Sequence, residues 1–163
     1  MHSLEDLRAG RLAGARHLKL AAGLTEFPRE IFTLVDTLEV LDLAGNALTQ
    51  LPDDLPRLAR LRILFCSGSP FEALPEVLGA CPRLEMIGFR GCGIRTVPEA
   101  ALPAGLRWLI LTANEIASLP DSIGQCPDLE KVALAGNRLR TLPESMAACQ
   151  QLGLLRISAN DVQ

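Results

Sequence analysis

The chain has 163 residues, a formal net charge of −3 and 48% hydrophobic residues, of which 31 are leucine, but only 4% aromatic residues. This length suits one domain that buries about two-thirds of its unfolded surface, and the composition excludes intrinsic disorder. An isoelectric point near 5.4 argues against a nucleic-acid binder, and two histidines leave little for a histidine-based metal site or catalytic set.

Residues 1–14 precede the regular part of the sequence and predict an N-terminal helix. Ser3 followed by Asp6 resembles a capping box, with the acidic residue in place of the usual glutamate. Leu4, Leu7 and Leu12 lie roughly on one face of a helix that begins there. We therefore expect 1–14 to form a capping helix over the first unit of the fold.

The N-terminal sequence also indicates in which cellular compartment the protein is located. Acidic residues stand where a signal peptide needs a basic stretch, and no apolar run reaches the roughly 18 residues of a membrane span. Five cysteines with no Cys-x-x-Cys pair do not indicate a disulfide framework or a zinc ribbon. These features predict a cytoplasmic protein without membrane association.

From residue 15 onward, one block recurs, and residues 38–52 (LEVLDLAGNALTQLP) are its clearest copy. Six full copies begin at 15, 38, 61, 84, 106 and 129, and a truncated seventh begins at 152. Apolar residues at the first, fourth and sixth positions alternate as a half-buried strand requires. Each copy is too small to bury its apolar face alone, so the copies must stack.

Two further positions predict how the copies connect. The Leu-Pro corner fixes the backbone where a short convex helical turn begins. The ninth position provides an amide that can bond neighbouring turns, and it reads Asn46, Ser69, Cys92, Asn114, Asn137 and Asn160. The third copy has Ser69-Pro70 there, and the fourth is one residue short near 100–105. These departures weaken the asparagine ladder and indicate either a functional discontinuity or drift in surface turns.

These seven in-phase blocks resemble the leucine-rich-repeat family, pattern LxxLxLxxNxLxxLPxxLxxLxx, over residues 15–163. The resemblance implies an α/β solenoid with a curved parallel sheet on its concave face and short helical or irregular turns on its convex face. Because the seventh copy is cut short and lacks a cap, we expect the natural protein to continue past Gln163. We expect a monomer, with self-association through the uncapped end as an alternative.

Positions three and five of each repeat should face water, yet repeats two to five carry large apolar residues there. Exposed apolar patches with polar rims mark interaction sites, and tryptophan is a frequent hot spot. We predict a partner-binding concave face that comprises Val40, Ile63, Phe65, Met86, Arg90, Trp108, Ile110, Lys131 and Arg156. The alternative is that these side chains cover one another and only pack the sheet.

Three other patterns favour structural roles. Position two alternates in sign, which predicts ion pairs along the strands: Arg16, Glu39, Arg62, Glu85, Arg107 and Glu130. Acidic residues after the Leu-Pro corners suit the positive ends of short helices, with cation binding as the alternative: Glu30, Asp53, Asp54, Glu76, Glu99, Asp121 and Glu144. The cysteines fit buried positions of the repeat, with a redox or metal role for Cys81, Cys126 and Cys149 as the alternative.

The sequence shows no phosphate-binding glycine loop and no hydrolase or metalloprotease motif, and His17 fits a solvated surface position. We therefore expect a non-catalytic module that binds a protein or peptide and needs no cofactor or metal. Blocks such as 107–112 and 134–139 are similar to bacterial proteins whose repeats lead into a protein-kinase-like domain, which implies a serine/threonine kinase beyond residue 163. A secreted bacterial effector that binds host proteins is a third interpretation.

Overall fold

The computed structural model describes residues 2–161. Seven three-residue strands form one parallel sheet in which each strand pairs with the next along the chain. They are β1 (His17–Lys19), β2 (Val40–Asp42), β3 (Ile63–Phe65), β4 (Met86–Gly88), β5 (Trp108–Ile110), β6 (Lys131–Ala133) and β7 (Leu154–Arg156). The predicted α/β solenoid is confirmed, whereas Met1, Val162 and Gln163 at the ends of the predicted segments lie outside the described residues.

The N-terminal segment forms helix α1 (Leu4–Arg8), which is shorter than the predicted helix over 1–14. The Ser3 side chain accepts a hydrogen bond of 3.0 Å from the Asp6 N–H, which is one half of the predicted capping box, while the Asp6 carboxylate accepts from Arg11 at 2.9 Å. The helix ends before Gly10, whose φ of 76° is a left-handed conformation that terminates helices. Leu7 is buried against the first repeat and anchors the helix to the solenoid.

Short 3₁₀ helices form the opposite side of the solenoid, and most of them begin directly after the proline of a Leu-Pro corner. They span Arg29–Leu34, Leu55–Arg57, Glu76–Ala80, Glu99–Ala101, Asp121–Gln125 and Glu144–Ala148. The helix of the fourth repeat has three residues where those of the third, fifth and sixth repeats have five. The second repeat, which is of full length, also has a three-residue helix. The deletion in the fourth repeat lies between β4 and β5, and the strand register continues undisturbed across it.

The core is a stack of leucine-rich columns between the sheet and these helices. The middle residues of β1 to β6 are fully buried, because consecutive residues of a strand point to opposite faces. None of the helices in the described part of the chain is long and apolar enough to cross a bilayer.

Buried asparagines hold successive turns together. The Asn114 carboxamide oxygen accepts hydrogen bonds from the N–H groups of Cys92 (2.9 Å) and Ile94 (3.1 Å) in the preceding repeat. Its amide donates to the carbonyls of Phe89 (2.8 Å) and Leu111 (2.9 Å). One side chain thus satisfies four backbone groups that burial would otherwise leave unpaired.

The junction between the second and third repeats lacks part of this network. Ser69 makes one such bond, in which its hydroxyl accepts from the Leu48 N–H at 3.1 Å. Pro70 has no N–H and cannot donate to the Leu48 carbonyl. At four other junctions the residue in the place of Pro70 makes the equivalent bond, at 2.7–2.9 Å, to a carbonyl of the preceding repeat: Ala47, Glu115, Arg138 and Asp161.

Candidate functional site

The first and third residues of each strand lie on the side of the sheet away from the core. This surface, called the outer face below, is the concave face of the prediction. The first-residue row runs in register through Val40, Ile63, Met86, Trp108 and Lys131. The third-residue row contains Phe65 next to Gly88, then Ile110, and ends at Arg156. Eight of the nine residues predicted for partner binding therefore lie together on this face.

Arg90 is the exception, because it lies two residues beyond the end of β4. Its side chain is exposed, and its backbone N–H donates to the Ser67 hydroxyl at 3.1 Å. Arg156 is on the outer face but on the last strand, two strands away from Ile110. These two basic residues lie at the margin of the apolar patch and not within it.

Much of the predicted patch is less exposed than position alone suggests. Val40, Ile63, Phe65, Met86 and Ile110 are half-buried. The ring of Phe65 lies over the backbone of β4, since a Cβ added to Gly88 would be only 2.6 Å from a ring carbon. The alternative interpretation, in which the side chains cover one another, therefore stays open for these five residues.

Trp108 and Leu154 are the large apolar residues that stand out, and each is 37% exposed. Leu154 was left out of the predicted set, although it occupies the same repeat position as Trp108. Its repeat position is the sequence signal that could have identified Leu154. Lys131 lies between the two side chains along the row, so Trp108 and Leu154 do not form one continuous apolar surface.

The Trp108 ring is held from one side by β6. Its indole N–H donates to Glu130 Oε2 at 3.3 Å, and Lys131 Nζ lies 4.9 Å from the ring centroid. The latter geometry is a cation–π contact. Glu130 also accepts two bonds from Arg107, at 3.0 and 3.1 Å. These bonds, first that of Arg107 and then that of the indole, lower the pKa of Glu130 below its ordinary value and keep it ionised.

A small cavity of about 120 Å³ opens on the other side of Trp108. Its apolar walls are Ile63, Met86 and Trp108, and its polar rim is formed by Arg62, Glu85 and Arg107. This volume is well below the roughly 300 Å³ of a typical small-molecule pocket. It has the size for one side chain of a larger ligand.

The predicted charge ladder at position two is present and is interrupted at this cavity. Arg62 pairs with Glu39 at 3.5 Å and with Glu85 at 3.2 Å, and Arg107 pairs with Glu130 at 3.0 Å. Within residues 2–161 the structure contains no ion pair between Glu85 and Arg107. Glu85 is paired with Arg62 and Arg107 with Glu130, and because exposed ion pairs contribute little to stability, both side chains can exchange these contacts for a ligand in the cavity.

The cysteines and the potential metal ligands are the remaining chemistry-bearing residues. All five cysteines are buried, and burial raises the pKa of both Cys81 and Cys126 to about 11. Such thiols are protonated at neutral pH and are poor nucleophiles. No cluster of three potential metal ligands occurs among the residues that the structure describes.

Two sequence comparisons each match a part of the chain. A family model described as "Leucine Rich Repeat" matches residues 37–58. The chain is 33% identical over 99 residues to "Leucine-rich repeat serine/threonine-protein kinase 1" of Caenorhabditis elegans, a match that covers 60% of this chain. The same match spans only 4% of that relative's length.

Solved structures share the fold. The plant peptide hormone receptor RGFR1, in complex with RGF2, superposes with a TM-score of 0.77 over 96% of this chain and 26% of the receptor, at 23% identity. A leucine-rich-repeat protein of Leptospira interrogans superposes with a TM-score of 0.50 over 94% of this chain and 51% of its own, at 22% identity.

The parallel sheet in chain order, the repeated asparagine turns and the 3₁₀ helices define a solenoid built from one repeated unit. The fold is thus that of a leucine-rich-repeat solenoid, and the sequence matches support the predicted resemblance to the leucine-rich-repeat family. The predicted resemblance is therefore confirmed, and the matched relative carries a kinase name.

Proposed function

We propose that this chain is a non-catalytic module that binds a protein or peptide on the outer face of the sheet, with Trp108 as the anchor of the contact. The observation that carries the proposal is the exposed Trp108 ring beside a cavity that fits one side chain. Fixed aromatic side chains next to small pockets dominate the binding energy of protein interfaces. The receptor that shares the fold was solved with a bound peptide hormone, which supports this mode of use.

The proposed ligand contact has three parts. An apolar side chain of the partner fills the cavity between Met86 and Trp108. Glu85 and Arg107, which lack an ion pair with each other, hydrogen-bond the partner's polar groups around that side chain. Lys131 keeps the indole in place and leaves little rotamer freedom to be lost on binding.

The test selects peptide ligands on the immobilised chain by phage display and measures their affinity by the fluorescence of Trp108, the only tryptophan. We expect Trp108→Asp, measured by calorimetry, to weaken binding by at least about 2 kcal/mol, or roughly thirtyfold. Leu154→Asp is the matched control, because it removes an equally exposed residue of the same row. Unaltered affinity of the Trp108 variant, with an unchanged far-UV circular dichroism spectrum, would overturn the proposal.

A second candidate is favoured by the similarity to the nematode kinase. We propose that the chain serves as the recognition arm of a larger protein-kinase-like enzyme. The kinase would be encoded next to this segment, and the predicted bacterial origin is part of the same proposal. The flanking coding sequence tests it: a glycine-rich loop and a kinase catalytic loop are expected, and other domains on both sides would exclude it.

We also propose a cytoplasmic location. The five buried thiols fit a reducing compartment, in which cysteines need not pair. Fractionation of cells that express a tagged chain in its natural context checks this, and recovery with the secreted fraction would refute it.

A further inference from the structure

We propose a second binding site, for an extended basic peptide segment, in a lateral groove between the first three repeats on the side away from the sheet. The groove consists of two adjoining cavities of about 560 and 170 Å³ that share Gln50 and Leu51 as a common wall. The larger one lies between the second and third repeats, and the smaller one continues it to the first repeat. Neither cavity includes a residue of the outer face of the sheet, so this site is independent of the proposed function above.

The larger cavity of the groove lies at the altered junction at Ser69-Pro70. Pro70 lacks the N–H that closes four other junctions, and it lines the larger cavity. On the far side, the third and fourth repeats are closed by backbone bonds from Arg95 N–H to the Glu72 carbonyl (2.8 Å) and from Leu74 N–H to the Thr96 carbonyl (3.0 Å). These two bonds close the groove on the side of the fourth repeat.

Both walls carry backbone groups that are free to bind a ligand. Residues 49–51 form one wall and make no backbone hydrogen bond to any described part of the chain. Ala73, on the opposite wall, uses neither its N–H nor its carbonyl in such a bond, although it is bridged to Thr96. Extended peptides bind to backbone edges of this kind by main-chain hydrogen bonds.

The side chains of the groove determine the chemistry of the ligand. Phe27, Leu51 and Phe71 line the groove but are buried in the core, so they give it a narrow apolar floor for small apolar side chains of an extended segment. Its charged lining residues are all acidic, namely Glu26, Asp53, Glu72 and Glu76.

These four carboxylates make no ion pair with any of residues 2–161. The nearby basic residues Arg29 and Arg57 are held by Asp54, at 2.7 and 3.1 Å. A ligand with lysine or arginine between apolar residues complements both the walls and the charge.

The experiment follows the amide NMR signals of the ¹⁵N-labelled chain during titration with an acetylated, amidated octapeptide. Every second residue of this peptide is arginine, and the others are valine and serine. A second octapeptide replaces every arginine with glutamate. We expect saturable amide shifts within residues 49–53 and 70–77 with the arginine peptide and none there with the glutamate peptide. Shifts that spare the groove, or equal shifts with both peptides, would overturn the proposal.

Charge-reversal variants provide the matched comparison. Glu72→Lys with Glu76→Lys should weaken the arginine peptide roughly tenfold or more, because both carboxylates line the groove. Asp121→Lys with Glu144→Lys makes the same change of net charge at the first residues of two distant 3₁₀ helices, and it should alter affinity less than about threefold. Equal losses of affinity in both double variants would show that the peptide is attracted by net charge alone and would refute a specific site in the groove.

Three further readouts separate other outcomes. Trp108→Asp should leave the shifts in the groove unchanged, so failure of the proposed function and failure of this site are distinguishable. Amide signals away from residues 49–53 and 70–77 verify that the variants are folded. Concentration-dependent shifts of the groove amides without peptide would assign the groove to a second copy of the chain and would contradict the proposed ligand.

Discussion

Replacing Gly79 with alanine tests how closely the 3₁₀ helices of neighbouring repeats pack. A Cβ at Gly79 would overlap the backbone carbonyl of Ala100, which lies in the helix of the next repeat. Because the obstacle is backbone and not a flexible side chain, the two repeats must move apart. Gly124 occupies the same repeat position two units later, where a Cβ would lie 2.6 Å from the Ser145 carbonyl oxygen.

The cost follows from this overlap. Overpacking of a well-packed contact typically costs about 1–3 kcal/mol, and the loss of glycine's unfolded-state freedom returns about 0.4–1 kcal/mol. We expect Gly79→Ala to lose about 2 kcal/mol and Gly124→Ala about half as much. For a chain of this size, about 2 kcal/mol corresponds to a fall in Tm of roughly 4–8 °C.

The assay is urea unfolding followed by far-UV circular dichroism and by Trp108 fluorescence. Gly105→Ala is the control, since its Cβ would be 3.8 Å from the nearest backbone atom, which is an ordinary contact. We expect this variant to be as stable as the wild type or slightly more so. Equal midpoints for the Gly79 and Gly105 variants would refute the close approach of the two repeats.

Three further predictions concern the asparagine turns, an ion pair and the thiols. Asn114→Ala leaves four buried backbone groups without their partner and should cost about 3–5 kcal/mol in urea unfolding; a loss below 1 kcal/mol, about that of an exposed polar residue, would contradict the ladder. Arg29 hydrogen bonds lower the pKa of Asp54 in the folded state from its ordinary 3.8. Its contribution to stability is therefore present above pH 3.8 and is lost as the pH falls towards the lower folded-state pKa. The urea midpoints of wild type and Asp54→Asn should accordingly differ at pH 7 and converge in acid, and a constant difference would rule this out. The thiols of Cys81 and Cys126, whose pKa burial raises to about 11, should react with Ellman's reagent at pH 8 only after unfolding, and rapid reaction of the native chain would disprove their burial.

The repeat period was sufficient to predict the strands, their parallel register and the buried columns, because each of these depends on position within the unit alone. It also placed the Asn114 side chain correctly, since a carboxamide at that position has only backbone groups within reach. The α/β solenoid and its family could therefore be read from the residues.

The exposure of the candidate site could not be predicted in the same way. Whether Phe65 is open to solvent depends on its neighbour Gly88, whose missing side chain lets the ring lie across the sheet. The orientation of Trp108 depends on Glu130 and Lys131 in the next repeat. Such contacts join residues of two neighbouring repeats. A repeat position describes the residue of each repeat separately and does not predict these contacts.

The order of the strands also determines how the molecule would respond to a mechanical pull on its two ends. Every strand pairs only with its neighbours in sequence, so a repeat at either end can peel away without disturbing the others. Each such step would release one unit of 23 residues, or roughly 80 Å of extended chain. The junction at Pro70 lacks a hydrogen bond that four other junctions retain, so it should resist this peeling less than those four.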